Sequence, residues 1–222
     1  MQYLYHTEAG VSHLTLVGDD HRYIFRVRRH KEGERIALRN LQDTILYSYE
    51  IIGIDKRAVS LSLVDQRELT ISARVDLHIG WCIIDPKSIE KMLPTLNEIG
   101  VSKITFIECQ RSQRNFHIDI GRIKKILLNS SQQSGRSVMM QIEKIATLKE
   151  FVDRYPDSYM LNFSPHKLSV DHQIETIVVG CEGGFTNEEI EMIDSDRVVS
   201  FDTPLILRSE SAVSAISSKI LL

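Results

Sequence analysis

The sequence predicts an α/β protein in which a small N-terminal β-barrel precedes a domain built on a largely parallel sheet. The first seventy residues contain short β-rich runs broken by Gly- and Asp-containing turns, a pattern typical of a small barrel. The rest of the chain alternates apolar strand-like runs with segments of helical periodicity, which favours parallel strands joined by helices. We therefore predict two domains, at residues 1–70 and 71–222.

In the first domain the alternation of polar and apolar residues predicts a strand at 13–17 and a turn at 18–20. Further β-rich runs lie at 23–25, 35–38, 45–52 and 58–63, and the crossing between the domains falls near 66–74. In the second domain we predict strands at 80–84, 103–107, 158–163, 176–180 and 198–201, and helices at 86–98, 119–133, 147–155, from 186 and from 209. Pro94 predicts a kink or an early stop, and Thr147 and Thr186 each open a capping box.

Composition excludes several classes of protein. With 42% hydrophobic and 26% charged residues, the 222-residue chain has a globular balance rather than a disordered one. It contains no apolar run near the roughly 20 residues that a membrane helix needs. The N-terminus lacks a signal peptide, so we expect a cytoplasmic protein. Cys82, Cys109 and Cys181 are far apart, which predicts three buried thiols and neither a disulfide framework nor a zinc site. The eight histidines lack ligand spacing, so we expect no metal.

Charge is distributed unevenly along the chain. Residues 21–39 contain seven basic and two acidic residues, and residues 110–136 contain six basic and one acidic. Residues 146–202 contain twelve acidic and four basic residues. Two basic stretches on an otherwise acidic chain indicate surfaces for a polyanion such as a nucleic acid. Two solvated faces on which charges happen to cluster are the alternative.

A glycine-rich segment at 180–184 follows a buried strand and precedes a capped helix. Glycine lets the backbone approach a ligand closely, and ligands in parallel α/β sheets bind at the carboxyl ends of the strands. The segment therefore predicts a ligand-binding loop, with a tight turn that binds nothing as the alternative. It matches neither a dinucleotide-binding fingerprint nor a P-loop.

A second segment, at 204–213, runs from an apolar loop into a small and polar helix start, with Arg208 at the junction. Its plain interpretation is a helix capped by Ser209. Four sequence blocks follow one another along the chain: Glu-Ile-Gly-Val at 98–101, Gln-Gln-Ser-Gly-Arg at 132–136, Gly-Cys-Glu-Gly-Gly-Phe at 180–185 and Ile-Leu-Arg-Ser-Glu-Ser-Ala at 206–212. With these blocks the chain resembles the ribosomal RNA small subunit methyltransferase E family, whose members methylate N3 of a uridine in 16S ribosomal RNA. Cys181 stands where that family has proline.

The resemblance implies a PUA-like β-barrel followed by a SPOUT domain whose C-terminal trefoil knot binds S-adenosylmethionine. It also implies a homodimer. The cofactor-binding positions carried over from the family are Leu161, Asn162, Gly180, Cys181, Glu182, Gly183, Gly184, Ile206, Leu207, Ser209 and Ala212. Arg208 is the candidate for stabilising charge on the uracil carbonyls, and Glu182 and Glu210 are candidates for accepting the proton. For Glu182 the alternative is a carboxylate that ties the glycine loop to backbone donors.

The implied partner is 16S ribosomal RNA or the assembled small ribosomal subunit. We expect RNA phosphates to contact the two basic stretches through Arg26, Arg28, Arg29, Lys31, Arg111, Arg114, Arg122, Lys124, Lys125 and Arg136. Two alternatives remain open at this point: a SPOUT methyltransferase with another RNA target, and a non-catalytic RNA-binding factor for ribosome assembly. The glycines at 180, 183 and 184 argue against the non-catalytic factor.

Overall fold

The computed structural model describes residues 2–113, 115–169 and 173–222. Two compact units make up the chain: the first comprises Met1–Ser72 and Leu128–Met139, and the second Ala73–Leu127 and Met140–Leu222. Among the described residues, no helix combines the length and the apolar character needed to cross a bilayer.

The first unit contains a five-stranded sheet in the order β1-β3-β4-β5-β2. The strands are β1 (Leu4–Tyr5), β2 (His13–Val17), β3 (Arg35–Arg39), β4 (Ile45–Ile54) and β5 (Ala58–Glu68). β1 and β3 are parallel and the other pairs are antiparallel. Alternate side chains such as Leu14, Leu16, Leu38, Tyr49 and Leu61 form the core of this sheet, as the period of two requires.

Two predictions for this unit are wrong. The turn at 18–20 and the strand at 23–25 are helical: α1 spans Gly18–Arg22 and a π-helical turn spans Tyr23–Val27. β5 extends to Glu68, so residues 66–68 of the segment expected to be the crossing belong to a strand, and the first unit ends at Ser72 within that segment. Local apolar runs do not distinguish a short strand from one turn of helix, because both can bury one or two side chains.

The second unit contains a six-stranded sheet in the order β11-β9-β10-β6-β7-β8, and all its pairs are parallel. Its strands are β6 (His78–Cys82), β7 (Lys103–Ile107), β8 (Gln141–Ile145), β9 (Tyr159–Leu161), β10 (Thr176–Val179) and β11 (Val198–Val199). This confirms the parallel α/β prediction. Among the described strands of this unit, β8 was not predicted from the sequence. It lies at the edge of the sheet, and its two isoleucines are separated by charged residues, so it contains no apolar run.

The helices of this unit are α2 (Pro86–Ile99), α3 (Ile120–Ser134), α4 (Leu148–Arg154), α5 (Asn187–Ile190) and α6 (Ser209–Leu221), and α3 extends into the first unit. The Asp85 carboxylate accepts a hydrogen bond from Ser88 N at 3.1 Å and caps α2. α2 continues through Pro94 to Ile99, so the predicted early stop is wrong. α6 packs against α2 and β10, and its first residue, Ser209, bonds to Gly180 directly after β10.

The expectation of three free thiols is also wrong. Cys82 and Cys109 form a disulfide, with their Cα atoms 5.8 Å apart, and Cys181 is free and buried. The physical reason is the sheet register. β6 and β7 are neighbouring parallel strands in which Cys82 pairs with Ile107, so Cys109 lies two residues beyond that pair. Spacing along the chain does not contain this information.

Candidate active site at the carboxyl ends of the strands

A cavity of about 320 Å³ lies at the carboxyl ends of β9 and β10. Three loops form it: the residues after β9, the glycine-rich loop after β10, and the segment that leads into α6. Parallel strands end at the same edge of a sheet, so the two segments singled out in the sequence are brought together by the topology.

The lining combines apolar side chains with a few polar ones. The apolar residues are Leu161, Phe163, Val179, Phe185, Phe201, Leu205, Ile206, Leu207 and Ala212. The other lining residues are Asn162, Gly180, Cys181, Glu182, Gly184, Ser200, Thr203, Arg208 and Ser209. Both the volume and this balance are typical of a small-molecule site.

The glycine-rich loop turns sharply between Cys181 and Gly184. Gly184 N donates to the Cys181 carbonyl at 2.9 Å, and Gly184 has φ of +67°, a conformation that favours glycine. Cys181, where the resemblance leads one to expect proline, is buried, and its thiol lies 3.7 Å from the Gly184 carbonyl. Gly183 is absent from the cavity lining and faces Arg111 instead.

Ser209 joins the sheet, the glycine loop and α6. Its hydroxyl donates to the Gly180 carbonyl at 2.5 Å and accepts from Trp81 Nε1 at 3.0 Å, and Trp81 is fully buried in β6. The N-cap residue of α6 is Arg208, whose side chain makes no capping hydrogen bond. Ser209 is therefore not the N-cap that its position in the sequence suggested. No local sequence signal announces this bond to Trp81, 128 residues away.

Arg208 and Glu182 line the cavity with exposed side chains. Within residues 2–113, 115–169 and 173–222, neither side chain has a hydrogen-bond or ion-pair partner. A guanidinium with no partner at the rim of a mostly apolar cavity is available to a ligand. Glu210, the other candidate proton acceptor, is half-buried in the first turn of α6 and is not part of the lining.

A buried carboxylate joins the start of α5 to the loop after β7. Glu189 is 2% exposed, and its two oxygens accept from Thr186 N at 2.9 Å and Gln110 N at 2.8 Å. The first bond belongs to the predicted capping box of α5, which is confirmed. The second links α5 to the loop after β7. Glu182, which we considered for an anchoring function of this kind, has no such backbone partner among the described residues.

The opposite half of the same sheet holds a second polar cluster, whose groups bond to each other. Lys103 Nζ lies 2.6 Å from a Glu143 oxygen and 2.9 Å from the Tyr155 hydroxyl, and Arg154 also pairs with Glu143. His78 Nε2 lies 2.8 Å from the Thr105 hydroxyl. Burial lowers the pKa of His78 to about 4, helped by the positive charge of Lys103. The hydrogen bond from Lys103 is the largest cause of the lowered pKa of Glu143.

Most of the basic residues that we assigned to RNA are exposed: Arg26, Arg28, Arg29, Lys31, Arg111, Arg122, Lys124 and Lys125. Three of these have partners within the chain. Arg28 Nε donates to the Tyr23 hydroxyl at 2.6 Å, Arg122 Nε to Glu90 at 2.7 Å, and Arg111 Nη1 to the Gly183 carbonyl at 2.9 Å. Arg114 lies outside the described residues.

Arg136 is a correction to that assignment. Its side chain is buried, 7% exposed, so it does not present its charge to an RNA phosphate. Arg39, counted in the first basic stretch, is 1% exposed and donates to the carbonyls of Thr44 and Leu69. Both arginines serve the fold of the first unit, and charge counts along a sequence do not separate such residues from surface ones.

No group of His, Cys, Asp and Glu suited to hold a metal ion occurs in the described part of the chain.

Comparison with known proteins agrees with the geometry. Residues 72–221 match the family model of an RNA methyltransferase domain, and residues 16–64 match that of an RNA methyltransferase PUA domain.

Several curated relatives carry the name ribosomal RNA small subunit methyltransferase E. The protein of Helicobacter pylori strain J99 is 36% identical over 98% of both chains, and that of Aquifex aeolicus is 25% identical over 97% of both. The crystal structure of the Neisseria gonorrhoeae protein of the same name, bound to S-adenosyl methionine, has the same fold. Its TM-score is 0.80 and its identity 18%, over 98% of this chain and 95% of that one. This chain therefore belongs to the ribosomal RNA small subunit methyltransferase E family.

Proposed function

We propose that this protein transfers a methyl group from S-adenosylmethionine to N3 of a specific uridine in 16S ribosomal RNA. The observation that carries the proposal is the cavity at the carboxyl ends of β9 and β10. The cavity is lined by residues of both sequence blocks that resemble the family, those at 180–185 and at 206–212. The free guanidinium of Arg208 lies at its rim.

The residues of the cavity fit the cofactor. Leu161, Ile206 and Leu207 offer apolar surface for an adenine ring, and the backbone of the glycine loop lies beside them. Backbone N–H and C=O groups there can read the edge of the base, and the cavity volume of about 320 Å³ is in the range of small-molecule sites. When bound, S-adenosylmethionine supplies an electrophilic methyl group on a sulfonium.

The protein's own residues then act on the uracil. N3 of neutral uracil carries a proton, and its loss places negative charge on the two flanking carbonyl oxygens. The planar guanidinium of Arg208 can donate to such an oxygen and stabilise that charge. Glu182, which lines the cavity, is the better placed of the two candidate proton acceptors, and Glu210 in the first turn of α6 is the other.

Recognition of the RNA falls to the exposed basic residues. Arg26, Arg28, Arg29 and Lys31 form one exposed group and Arg122, Lys124 and Lys125 another, and we assign both to phosphate contacts. Within these groups Arg28 also bonds to Tyr23 and Arg122 to Glu90. N3 lies on the Watson–Crick edge, so the target uridine must be unpaired or flipped out of a helix.

The proposal extends to finer features of the fold and assembly. We assign residues 1–70 to a PUA-like barrel that binds RNA and residues 71–222 to a SPOUT domain with a trefoil knot around the cofactor. We also propose that the protein forms a homodimer and acts in the cytoplasm. The strongly exposed apolar side chains of Phe163, Leu205 and Ile206 beside the cavity support a second copy or a nucleobase in contact with this rim.

The test is methylation of purified RNA. The protein is incubated with S-adenosylmethionine carrying an isotopically labelled methyl group and with 16S RNA or small subunits from cells that lack this gene. Digestion and mass mapping should find one labelled 3-methyluridine. Label on a different RNA would favour another SPOUT specificity. Cofactor binding without any transfer would favour a non-catalytic assembly factor.

A further inference from the structure

The loop that follows β7 contacts the glycine-rich loop from outside the cavity. This loop, Glu108 to Gln113, will be called the bracket loop. Its Arg111 donates from Nη1 to the Gly183 carbonyl at 2.9 Å. The contact involves packing as well as a hydrogen bond, because a Cβ at position 183 would lie 3.0 Å from Arg111 Cβ and 3.5 Å from its Cδ.

The bracket loop is itself fixed at several points. Cys109 is bonded to Cys82 at the end of β6. Gln110 N donates to the buried Glu189 at 2.8 Å, and the Ser112 hydroxyl accepts from Cys109 N at 3.2 Å. A side chain that extends from such a loop can hold its neighbour in one conformation, because little of its own backbone is free to move.

The contact explains why glycine stands at 183. Gly183 does not line the cavity, so close approach of a ligand is not what requires it. Any side chain there would press on the first carbon of Arg111, which cannot move away without the bracket loop. The adjacent residues on both sides, Glu182 and Gly184, do line the cavity.

We propose that Arg111 is a positioning residue for the cofactor: it holds the glycine loop in its binding conformation from outside rather than gripping an RNA phosphate. The inference rests on the proposed function, since it takes the cavity to be the S-adenosylmethionine site. It replaces our expectation that Arg111 contacts RNA.

The experiment uses substitutions that separate packing from hydrogen bonding. Arg111→Met keeps the aliphatic stem and removes the donor, whereas Arg111→Lys keeps the stem and one donor. The matched control is Lys87→Met, which removes an exposed cation from α2 in the same unit. For each variant, calorimetry measures the dissociation constant for S-adenosylmethionine without RNA, and hydrogen exchange measures protection of the Gly184 amide without cofactor.

Loss of one such hydrogen bond corresponds to about 3- to 10-fold in affinity. Arg111→Met should therefore raise the dissociation constant about 3- to 10-fold and speed exchange at Gly184 by a similar factor. Arg111→Lys should restore most of both, and Lys87→Met should leave both unchanged. In steady state, Arg111→Met should raise KM for S-adenosylmethionine and leave kcat at saturating cofactor close to the wild-type value.

Wild-type affinity and wild-type Gly184 exchange in Arg111→Met would overturn the inference. The same holds if Arg111→Met weakens only RNA binding, because that result would make Arg111 a phosphate contact. Both results leave the proposed function standing. A wild-type protein that binds no S-adenosylmethionine would instead contradict the proposed function, while the exchange at Gly184 would still report whether Arg111 holds the loop.

Discussion

The two ends of the parallel sheet differ in whether their charged side chains have partners within the protein. At the amino-terminal half, Lys103, Glu143, Arg154 and Tyr155 bond to one another, and the buried His78 bonds to Thr105. At the carboxyl end, Arg208 and Glu182 face a cavity without a partner among the described residues. Satisfied groups stabilise a fold, whereas free groups beside apolar surface are available for a ligand. The difference separates the part of the sheet that supports the structure from the part that we propose performs the reaction.

The largest expected effect concerns Arg208. Arg208→Ala should slow single-turnover methylation by about 10²- to 10³-fold at saturating RNA and cofactor, the usual loss for one donor to a developing oxyanion. Affinity for S-adenosylmethionine should fall far less, because we propose that backbone groups of the loops contribute most of its contacts. Arg208→Lys should rescue poorly, since an ammonium lacks the planar fork of donors.

Lys219→Ala is the control for Arg208, because it removes an exposed cation from the last turn of the same helix. A near-normal single-turnover rate for Arg208→Ala would remove this residue from the chemistry. Lost cofactor binding would make it a residue that fastens the loop instead.

The disulfide at the carboxyl ends of β6 and β7 gives the next effect. Alkylation of the unfolded chain without reductant should label Cys181 alone, and alkylation after reduction should label all three cysteines. Reduction should lower the stability of the protein by about 3.5 kcal/mol, as expected for a loop of this length. Cys181→Ser is the control and should leave the reduction effect intact. Three labelled cysteines without reductant would contradict the bond.

The amino-terminal cluster predicts a dependence of stability on pH. The folded protein keeps His78 neutral down to a pKa of about 4, whereas the unfolded chain takes up a proton near 6.5. The unfolded state therefore binds more protons between these values, so stability is full above pH 6.5 and falls as the pH drops toward 4. The loss is at most about 3 kcal/mol.

Urea unfolding at several pH values measures this loss. His78→Gln should flatten the slope between pH 4 and 6.5, and the exposed His117→Gln should not. Lys103 and Glu143 face His78 in the cluster, and Glu143, with its lowered pKa, adds a loss in the same direction at more acidic pH. An unchanged slope in His78→Gln would mean that other groups cause the acid sensitivity.

The sequence predicted the parallel sheet and the two segments of the site because both carry local signals. Apolar runs mark the buried strands, and the three glycines and the capping box at Thr186 mark the loop after β10. Strand parallelism then brings that loop to the same edge as the residues after β9, which is a matter of topology alone.

What the sequence could not predict depends on register and burial between distant segments. The pairing of Cys82 with Cys109 follows from the alignment of β6 and β7. Arg136 is buried, so its positive charge does not mark a surface for RNA. The contact of Arg111 with Gly183 joins residues 72 positions apart. None of these leaves a periodic or compositional trace, so charge and spacing along the chain do not reveal them.

The most direct test of the contrast between the two ends of the sheet is a map of where S-adenosylmethionine binds. Backbone amide chemical shifts are recorded during titration of the labelled wild-type protein with S-adenosylmethionine. We expect large shifts at Gly180, Cys181 and Gly184 and across residues 206–209, with none at His78, Lys103 or Tyr155. Shifts centred on the amino-terminal cluster, or no shifts at saturating cofactor, would contradict this expectation.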